Sequence, residues 1–309
     1  MLPFKLVYHP GYNLNLGDHV FPGYKYRMIR ERMIAERFAE AADFVEPAPA
    51  RDEDVLLVHD RDWMERLKHG TLTFFDILKL ELPYSRSTMQ SFWLAAGGTT
   101  LAARLALRDG IGFNVGGGFH HAFAACGEGF CAIHDVAVAI RTLQREGAIQ
   151  RAMVVDCDCH QGNGTASIFA KDESVFTLSI HQLNNYPSEK PPSNIDLNLE
   201  DDTSDKDYLD ILRAAYEPAF LRFQPQMVFY LAGADPFYQD QLGGLAMTTA
   251  GLFARDRSVI AMALRMHVPV TVALAGGYAV NLDDTVEIHV NTAKAALDVL
   301  ERVNWKRRG

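Results

Sequence analysis

Short apolar runs rich in β-branched residues alternate along this chain with longer segments of helical periodicity. The runs are almost continuously apolar, which is typical of strands buried on both faces of a parallel sheet. Six runs are predicted as strands, at residues 4–8, 55–58, 152–157, 175–180, 227–232 and 268–275. Five segments are predicted as helices, at residues 25–44, 133–144, 206–223, 250–266 and 283–303. The alternation predicts an α/β fold with a doubly wound, mostly parallel sheet flanked by helices.

The domain organisation follows from length and from the absence of a linker. A chain of 309 residues is long enough for one large α/β domain or two average ones. Residues 184–204 are rich in proline, asparagine and acids, and we expect a surface loop there rather than a domain boundary. Because the sequence has no low-complexity linker and no repeat, we expect one domain over residues 1–309.

Composition excludes several classes of function. The net charge of −9 argues against a general nucleic-acid-binding protein. No stretch reaches 18 consecutive apolar residues, so no membrane-spanning helix is expected. The start of the chain does not have the pattern of a secretory signal, and four cysteines are too few for a disulfide framework. We therefore expect a reduced, cytoplasmic protein, whose oligomeric state the sequence leaves open.

Metal-ligand residue types are concentrated in residues 154–165, VVDCDCHQGNGT, at the end of a predicted strand. If the backbone stays extended, Asp156, Asp158 and His160 share one face, and Cys157 and Cys159 point to the core. Two ionised carboxylates at a buried strand end are costly unless cations or hydrogen bonds compensate them. This stretch therefore predicts a metal site built by the acids and the histidine.

A third ligand is predicted where another strand ends, at Asp235 in the sequence GADP. Alone, such an aspartate is more typical of a turn or a helix cap. Together with Asp158 and His160 it completes a set of two carboxylates and one imidazole. That set suits Zn²⁺ or Fe²⁺ with one position open for water.

Two further glycine-rich strand ends provide polar side chains. The tandem His120 and His121 follow three glycines, and Tyr278 follows Gly276 and Gly277. The first run does not have the G-x-G-x-x-G spacing of a dinucleotide-binding loop. Loops at the carboxyl ends of parallel strands build the sites of such folds, and a tyrosine there could donate to an oxyanion.

Taken in order, these stretches resemble the zinc-dependent histone deacetylase family, which is related in fold to arginase and the acetylpolyamine amidohydrolases. The matching segments are GGGFHHAF, GFCAIHD, VDCDCHQGNGT, LSIH, LAGADP and AGGYA. The motif HQGNG and residues 241–256 are most similar to the class IV, deacetylase 11-like branch. Arginase itself fits poorly, because its two-manganese site needs more carboxylates near the histidines.

The resemblance implies a role for each matching residue. Its zinc ligands would be Asp158, His160 and Asp235. The catalytic residues would be His120, His121 and Tyr278, with Asp156 backing His120 and Asn163 backing His121. The wall of the acyl tunnel would include Gly129, Phe130 and Tyr186. A structural K⁺ would be bound by Asp156, Asp158, His160, Ser179 and the Ile180 carbonyl.

Two departures from the family pattern bear on function. Class I members have an aspartate where this chain has Asn163, and an amide stabilises the His121 imidazolium less, so a lower His121 pKa is expected. Many members have an acid at the rim that grips the peptide backbone, whereas residues 83–89, PYSRSTM, contain none.

The expected reaction is metal-dependent hydrolysis of an N-acyl amide. The leading substrate is an acyl-lysine peptide or protein, carrying an acetyl group or a longer acyl chain. The missing rim acid leaves open an acylated small amine, such as an acetylated polyamine. A catalytically silent binding protein with a deacetylase fold is the third alternative.

Overall fold

Eight strands form one parallel sheet in this computed structural model, which describes residues 1–303 and 305. The strands are β1 (Leu6–Val7), β2 (Phe44–Val45), β3 (Ile111–Asn114), β4 (Ala152–Asp156), β5 (Val175–Gln182), β6 (Ile195–Leu199), β7 (Met227–Leu231) and β8 (Val270–Ala273). Their order across the sheet is β2-β1-β3-β8-β7-β4-β5-β6. The predicted doubly wound α/β class is confirmed.

Helices connect the strands and cover both faces of the sheet. They are α1 (Lys25–Ala35), α2 (Asp52–Val55), α3 (Arg61–His69), α4 (Phe74–Leu80), α5 (Arg86–Asp109), α6 (Asp135–Arg145), α7 (Asn163–Phe169), α8 (Asp205–Phe223), α9 (Thr249–Arg265) and α10 (Leu282–Arg302). None of these described helices is both long and apolar enough to cross a lipid bilayer.

The two faces of the sheet bury different side chains of the same strand. In β4, Ala152 and Val154 pack in the apolar cluster that includes α5 and α6. Met153 and Val155 pack in the other cluster, with residues of α8, α9 and α10. This accounts for the continuous apolar runs, because both faces of a central strand are buried.

The central strands deliver their carboxyl ends to one edge of the sheet. Strand β4 lies between β7 and β5, and β8 and β3 follow beyond β7. The glycine-rich loops after β3 and β8 therefore meet the loops after β4 and β7. The polar residues of four separate motifs converge at this edge.

Residues 55–58 form a helical turn and its exit, so the predicted strand there is wrong. Helix α2 begins with three acids, Asp52, Glu53 and Asp54, whose charges are favourable at a helix N-terminus. The following Leu57 is 36% exposed, so the apolar run does not enter the core as a strand.

The segment 184–204, predicted as a loop, contains the edge strand β6. Ile195, Leu197 and Leu199 alternate with Asp196 and Asn198, and β6 pairs in parallel with β5. The prolines and acids around the strand conceal this period-2 pattern from the sequence reading.

The predicted helix 25–44 is too long, and two short strands were not predicted. Helix α1 ends at Ala35, and Arg37 adopts a left-handed backbone with φ of 59°, before the chain enters β2. Strand β3 contains Gly112, where a Cβ would lie 1.7 Å from the Ala102 carbonyl oxygen of α5. The close contact with α5 therefore requires a glycine in β3. A strand of four residues that includes a glycine has too short an apolar run to be predicted from the sequence.

Candidate active site

Three side chains of metal-ligand type meet at this edge of the sheet. Asp158 and His160 follow β4, and Asp235 follows β7. His160 Nδ1 lies 3.0 Å from Asp158 Oδ1 and 3.3 Å from Asp235 Oδ2. Tetrahedral coordination with bonds of about 2.0–2.1 Å separates neighbouring ligand atoms by roughly 3.3 Å. Both distances from His160 thus match neighbouring ligands of one zinc-like ion, and ligand atoms of all three residues lie within 4.8 Å of one another.

Backbone amides orient the two carboxylates of this trio. The Gly276 N–H donates to Asp158 Oδ2 at 2.8 Å, and the Cys159 N–H donates to Asp235 Oδ1 at 2.9 Å. Asp235 Oδ2 is buried and accepts no hydrogen bond from the described residues. A buried carboxylate oxygen without a partner is costly, so this donor set fits a divalent cation. A Cβ on Gly276 would lie 2.1 Å from Asp235 Oδ2, which explains the glycine.

Both thiols are buried in the core as predicted, but only Cys157 is separated from the potential ligands. Strand β4 ends at Asp156, so the strict alternation of faces does not extend to His160. Cys157 is fully buried beside Arg255 and Tyr208, as expected. Cys159 Sγ instead lies 3.4 Å from His160 Nδ1, among the potential ligand atoms. Cys159 is buried in the apolar core as predicted, but it is not separated from the potential ligands, because the backbone leaves the extended conformation after Asp156.

His120 is paired with a carboxylate. Its Nδ1 lies 2.7 Å from Asp156 Oδ2, and its Nε2 lies 3.8 Å from Asp158 Oδ1. Burial opposes a charge on the ring, but the Asp156 and Asp158 carboxylates outweigh burial and raise the pKa of His120 to about 9. At neutral pH this imidazole is therefore positively charged.

His121 is paired with an amide. Its Nδ1 lies 2.7 Å from Asn163 Oδ1, at the start of α7. Burial, followed by the nearby His120 and His160 rings, lowers the pKa of His121 well below its usual range. The hydrogen bond with Asn163 acts in the opposite direction but is outweighed, and the effect expected from an amide in place of an aspartate stays a prediction. A neutral imidazole is the form that can accept a proton.

Tyr278 lines the same pocket, and its backbone is held from both sides. Its N–H donates to Asp240 Oδ2 at 2.6 Å, and Gln241 Nε2 donates to its carbonyl at 2.9 Å. Burial, then the Asp158 and Asp235 carboxylates, raises the pKa of Tyr278 well above its usual range. The phenol therefore keeps its proton and remains a hydrogen-bond donor.

The three predicted tunnel residues line a pocket of about 190 Å³ above the ligand trio. The His121 and Tyr186 rings meet edge to face at 5.0 Å, and the Phe130 ring lies 6.1 Å from Tyr278. Gly129 has φ of 48°, and a Cβ there would lie 2.9 Å from both the His121 and Tyr186 rings. Glycine is required because these two rings leave no room for a side chain.

Other wall residues escaped sequence reasoning. Phe21, Tyr26 and Glu81 also line the pocket, and Phe21 contacts Phe130 at 5.9 Å between ring centroids. Phe21 and Tyr26 come from the N-terminal segment and the start of α1, and Glu81 is the residue that ends α4. A lone aromatic or acid in such segments carries no local signal, because only the fold brings it to the site.

Ser179 and Ile180 lie in β5, which pairs with β4, the strand that Asp158 and His160 follow. Asp156 and Ser179 are direct register partners of β4 and β5, and both are buried. Ser179 Oγ lies 2.9 Å from His181 Nδ1, and Asp156 Oδ1 accepts from the Asp158 N–H at 3.1 Å. Three of the five residues predicted to bind a monovalent cation, Asp156, Ser179 and Ile180, thus lie on neighbouring strands of the sheet.

Comparison with known proteins shows which family this chain matches. The family model described as "Histone deacetylase domain" matches residues 19–293. An uncharacterized protein of Picosynechococcus sp. (strain ATCC 27264 / PCC 7002 / PR-6) is 40% identical over 297 residues, which cover 96% of this chain and 99% of that protein. "Histone deacetylase 2" of Arabidopsis thaliana is 31% identical over 291 residues, covering 89% of this chain and 74% of that protein.

A solved structure shares the fold. "Crystal Structure of HDA15 HD domain" superposes with a TM-score of 0.79, covering 98% of this chain and 89% of that chain. Its sequence identity is 21%, so the likeness concerns the architecture.

Proposed function

Because the chain belongs to the histone deacetylase family, we propose that it is a metal-dependent deacetylase that hydrolyses N-acyl amides. The observation that carries the proposal is the convergence of Asp158, His160 and Asp235 beside two histidines with opposite charge preferences. Hydrolysis needs a group that takes a proton and a group that stabilises negative charge. The two histidines meet these two needs.

The proposed metal is Zn²⁺, with Fe²⁺ as the alternative that the same ligands accept. When bound, such an ion supplies a Lewis acid that polarises the acyl carbonyl and makes water more acidic. Asp158 Oδ1, His160 Nδ1 and Asp235 Oδ2 would hold it, since these three atoms converge in the buried cluster.

His121 is the proposed general base. Its low pKa keeps Nε2 available for a proton from the attacking water, while Nδ1 is bound to Asn163. The same ring then returns the proton to the leaving amine. His120 stays charged through Asp156 and stabilises negative charge nearby.

Tyr278 is the proposed donor to the developing oxyanion, because its hydroxyl stays protonated and it lines the pocket. Replacing Tyr278 with Phe removes only the hydroxyl. We expect Tyr278→Phe to bind Zn²⁺ with unchanged stoichiometry and to lose about 10²–10³ in kcat. Metal analysis together with steady-state kinetics checks this, and turnover at the wild-type level would contradict the role.

Gly129, Phe130 and Tyr186 are proposed to line the acyl tunnel of an acyl-lysine substrate, with an acetyl or a longer acyl chain. A second substrate class, an acylated polyamine or related amine, is favoured by one observation. Glu81 is an acidic residue among those that line the pocket, and residues 83–89 contain no acid that could grip a peptide backbone. A second amine of the substrate would be attracted by such a carboxylate.

Three finer assignments complete the proposal. We propose that Asp156, Asp158, His160, Ser179 and the Ile180 carbonyl bind a structural K⁺, supported by the pairing of Asp156 with Ser179. The HQGNG motif and residues 241–256 support the class IV branch. Four free cysteines support a reduced, cytoplasmic setting.

The test is a substrate panel with metal control. The Zn²⁺-loaded and the chelator-treated protein are assayed on lysine peptides with acyl chains of increasing length and on acetylputrescine. We expect hydrolysis only with metal, and the preferred substrate decides between the two classes. No hydrolysis of any substrate with stoichiometric Zn²⁺ bound would contradict the enzymatic function and favour a binding protein.

A further inference from the structure

A carboxylate lies behind the amide that supports His121. Glu128 lies between Gly127 and Gly129, in the loop that forms the tunnel wall. Its Oε1 accepts a hydrogen bond from Asn163 Nδ2 at 2.7 Å. At the other end of the amide, Asn163 Oδ1 lies 2.7 Å from His121 Nδ1 and accepts from the Gly164 N–H at 3.0 Å. The three side chains form a continuous chain of hydrogen bonds.

The Glu128 carboxylate determines the direction of every hydrogen bond in this series of three side chains. An ionised carboxylate only accepts, so the Asn163 NH₂ group must face Glu128. The amide oxygen must then face His121, where it can only accept, and the Gly164 N–H requires the same orientation. His121 Nδ1 must therefore carry the ring proton, which leaves Nε2 with a free lone pair.

Without the Glu128 carboxylate, the orientation of the Asn163 amide is less strongly fixed. An asparagine amide presents either its oxygen or its NH₂ group after a flip, with little change in shape. A flipped amide would donate to His121 Nδ1 and favour the tautomer with the proton on Nε2. That tautomer cannot take a proton from water at Nε2.

We propose that Glu128 is a positioning residue that fixes the orientation of the Asn163 amide and, through it, the Nδ1–H tautomer of His121. The inference rests on the proposed function, because it assigns Glu128 to the same general base. An aspartate in place of Asn163 would itself present a carboxylate, which can only accept a hydrogen bond, to His121. In this protein Glu128 provides that carboxylate and acts on His121 through the Asn163 amide.

A second donor at the same carboxylate explains an acid in this position. Burial, then the charge and the hydrogen bond of Glu128, raises the pKa of Tyr186, so its hydroxyl is a donor to Glu128. Asn163 and Tyr186 therefore both donate to one side chain. A carboxylate offers an oxygen to each of them, whereas a glutamine would present an oxygen to one and its NH₂ group to the other. The Glu128 carboxylate joins the support of the base to the tunnel wall.

A double-mutant cycle tests the proposal by kinetics. We expect Glu128→Ala to lower kcat/KM by about 10-fold, as the loss of supporting hydrogen-bond partners does around other catalytic sites. In the Asn163→Asp background the same change should cost nothing or raise kcat/KM, because the new carboxylate accepts from His121 without help and no longer faces the Glu128 carboxylate. Glu173→Ala, which removes an exposed acid of the same charge, is the matched control and should leave kcat/KM unchanged.

The outcome that overturns the proposal is equally sharp. Equal losses from Glu128→Ala in both backgrounds would mean a general structural role, and no loss in the parent would mean no role. If Glu128→Ala fails to fold, Glu128→Met, which keeps the length of the side chain without an acceptor, replaces it in the same cycle. The methionine variant should lose activity only in the presence of Asn163.

The tautomer can be read without any turnover. Long-range ¹H–¹⁵N NMR of protein labelled at its histidines distinguishes the Nδ1–H and Nε2–H forms of His121. We expect the Nδ1–H pattern in the parent and in Asn163→Asp, and a mixed or Nε2–H pattern in Glu128→Ala. An unchanged Nδ1–H pattern in Glu128→Ala would overturn the proposal even if no substrate were hydrolysed, so its failure differs from that of the proposed function.

Discussion

The two adjacent histidines of the site are alike in almost everything except their partners. The rings of His120 and His121 are 4.0 Å apart between centroids, and both are buried. Each presents Nδ1 to an oxygen at 2.7 Å, which belongs to the Asp156 carboxylate for His120 and to the Asn163 amide for His121. The pKa of His120 is nevertheless raised to about 9, whereas that of His121 is lowered well below its usual range.

The difference teaches that the charge of the hydrogen-bond acceptor, not burial, decides which ring is protonated. Burial disfavours the charge on both imidazoles. A carboxylate at hydrogen-bond distance reverses that effect for His120, and the resulting cation then disfavours a second charge on His121. One pair thus yields both an electrostatic stabiliser and a free base.

The largest effect is expected from removing His121, the neutral histidine of the pair. His121→Ala removes the proposed base, and general-base catalysis typically contributes about 10²–10⁴ in rate. We expect kcat/KM to fall by that factor with Zn²⁺ binding retained, since His121 is outside the ligand trio. Metal analysis and kinetics on one preparation check it, and a loss below about 10-fold would break the assignment of the base.

A smaller effect is expected from neutralising the partner of the charged member. Asp156→Asn leaves His120 without its carboxylate, and breaking a buried pair typically costs about 3–5 kcal/mol in unfolding free energy. The pKa of His120 is raised in the folded state. The pair of His120 and Asp156 therefore contributes fully to the unfolding free energy below the unfolded pKa of about 6.5, and this contribution disappears as pH rises through about 9.

Denaturant unfolding across pH at fixed K⁺ concentration measures this contribution. The stability difference between wild type and Asp156→Asn should shrink between about pH 6.5 and pH 9. His120→Gln is the control, because in that background the Asp156→Asn effect should not depend on pH in this window. A difference that grows with pH would contradict a charged His120.

The smallest effect is expected from giving His121 a carboxylate partner like that of His120. Asn163→Asp, combined with Glu128→Gln so that the new carboxylate does not face a second carboxylate at 2.7 Å, places a charge beside His121 that favours the imidazolium and raises the pKa of His121. Because a base works only when neutral, the acid limb of the kcat/KM profile should move to higher pH. Activity at pH 8 should stay within a few-fold of wild type, and an acid limb that stays in place would contradict the amide's role.

Much of the site was predictable from sequence because its residues stand in motifs at strand ends. Asp158 and His160 are two residues apart after β4, and Asp235 follows the adjacent β7, so a parallel sheet must bring them together. The pairing of His120 with Asp156 and of His121 with Asn163 followed from the family resemblance. The geometry agrees with both pairs.

What sequence reasoning missed depends on backbone conformation. Cys159 approaches the ligands because β4 ends at Asp156, which no pattern of residue types announces. Glu128 reaches Asn163 only through the loop containing Gly129, whose φ is 48°. The strand β6 and the helix α2 were missed because short elements are decided by what they pack against rather than by their own sequence.

The most direct test of the account is the protonation of the two neighbouring rings in the metal-loaded protein at pH 7.5. Long-range ¹H–¹⁵N NMR reports it, with His120→Gln and His121→Gln variants to assign the signals. The account predicts an imidazolium at His120 and a neutral ring with the proton on Nδ1 at His121. Two neutral rings, or a charge on His121 instead of His120, would contradict it.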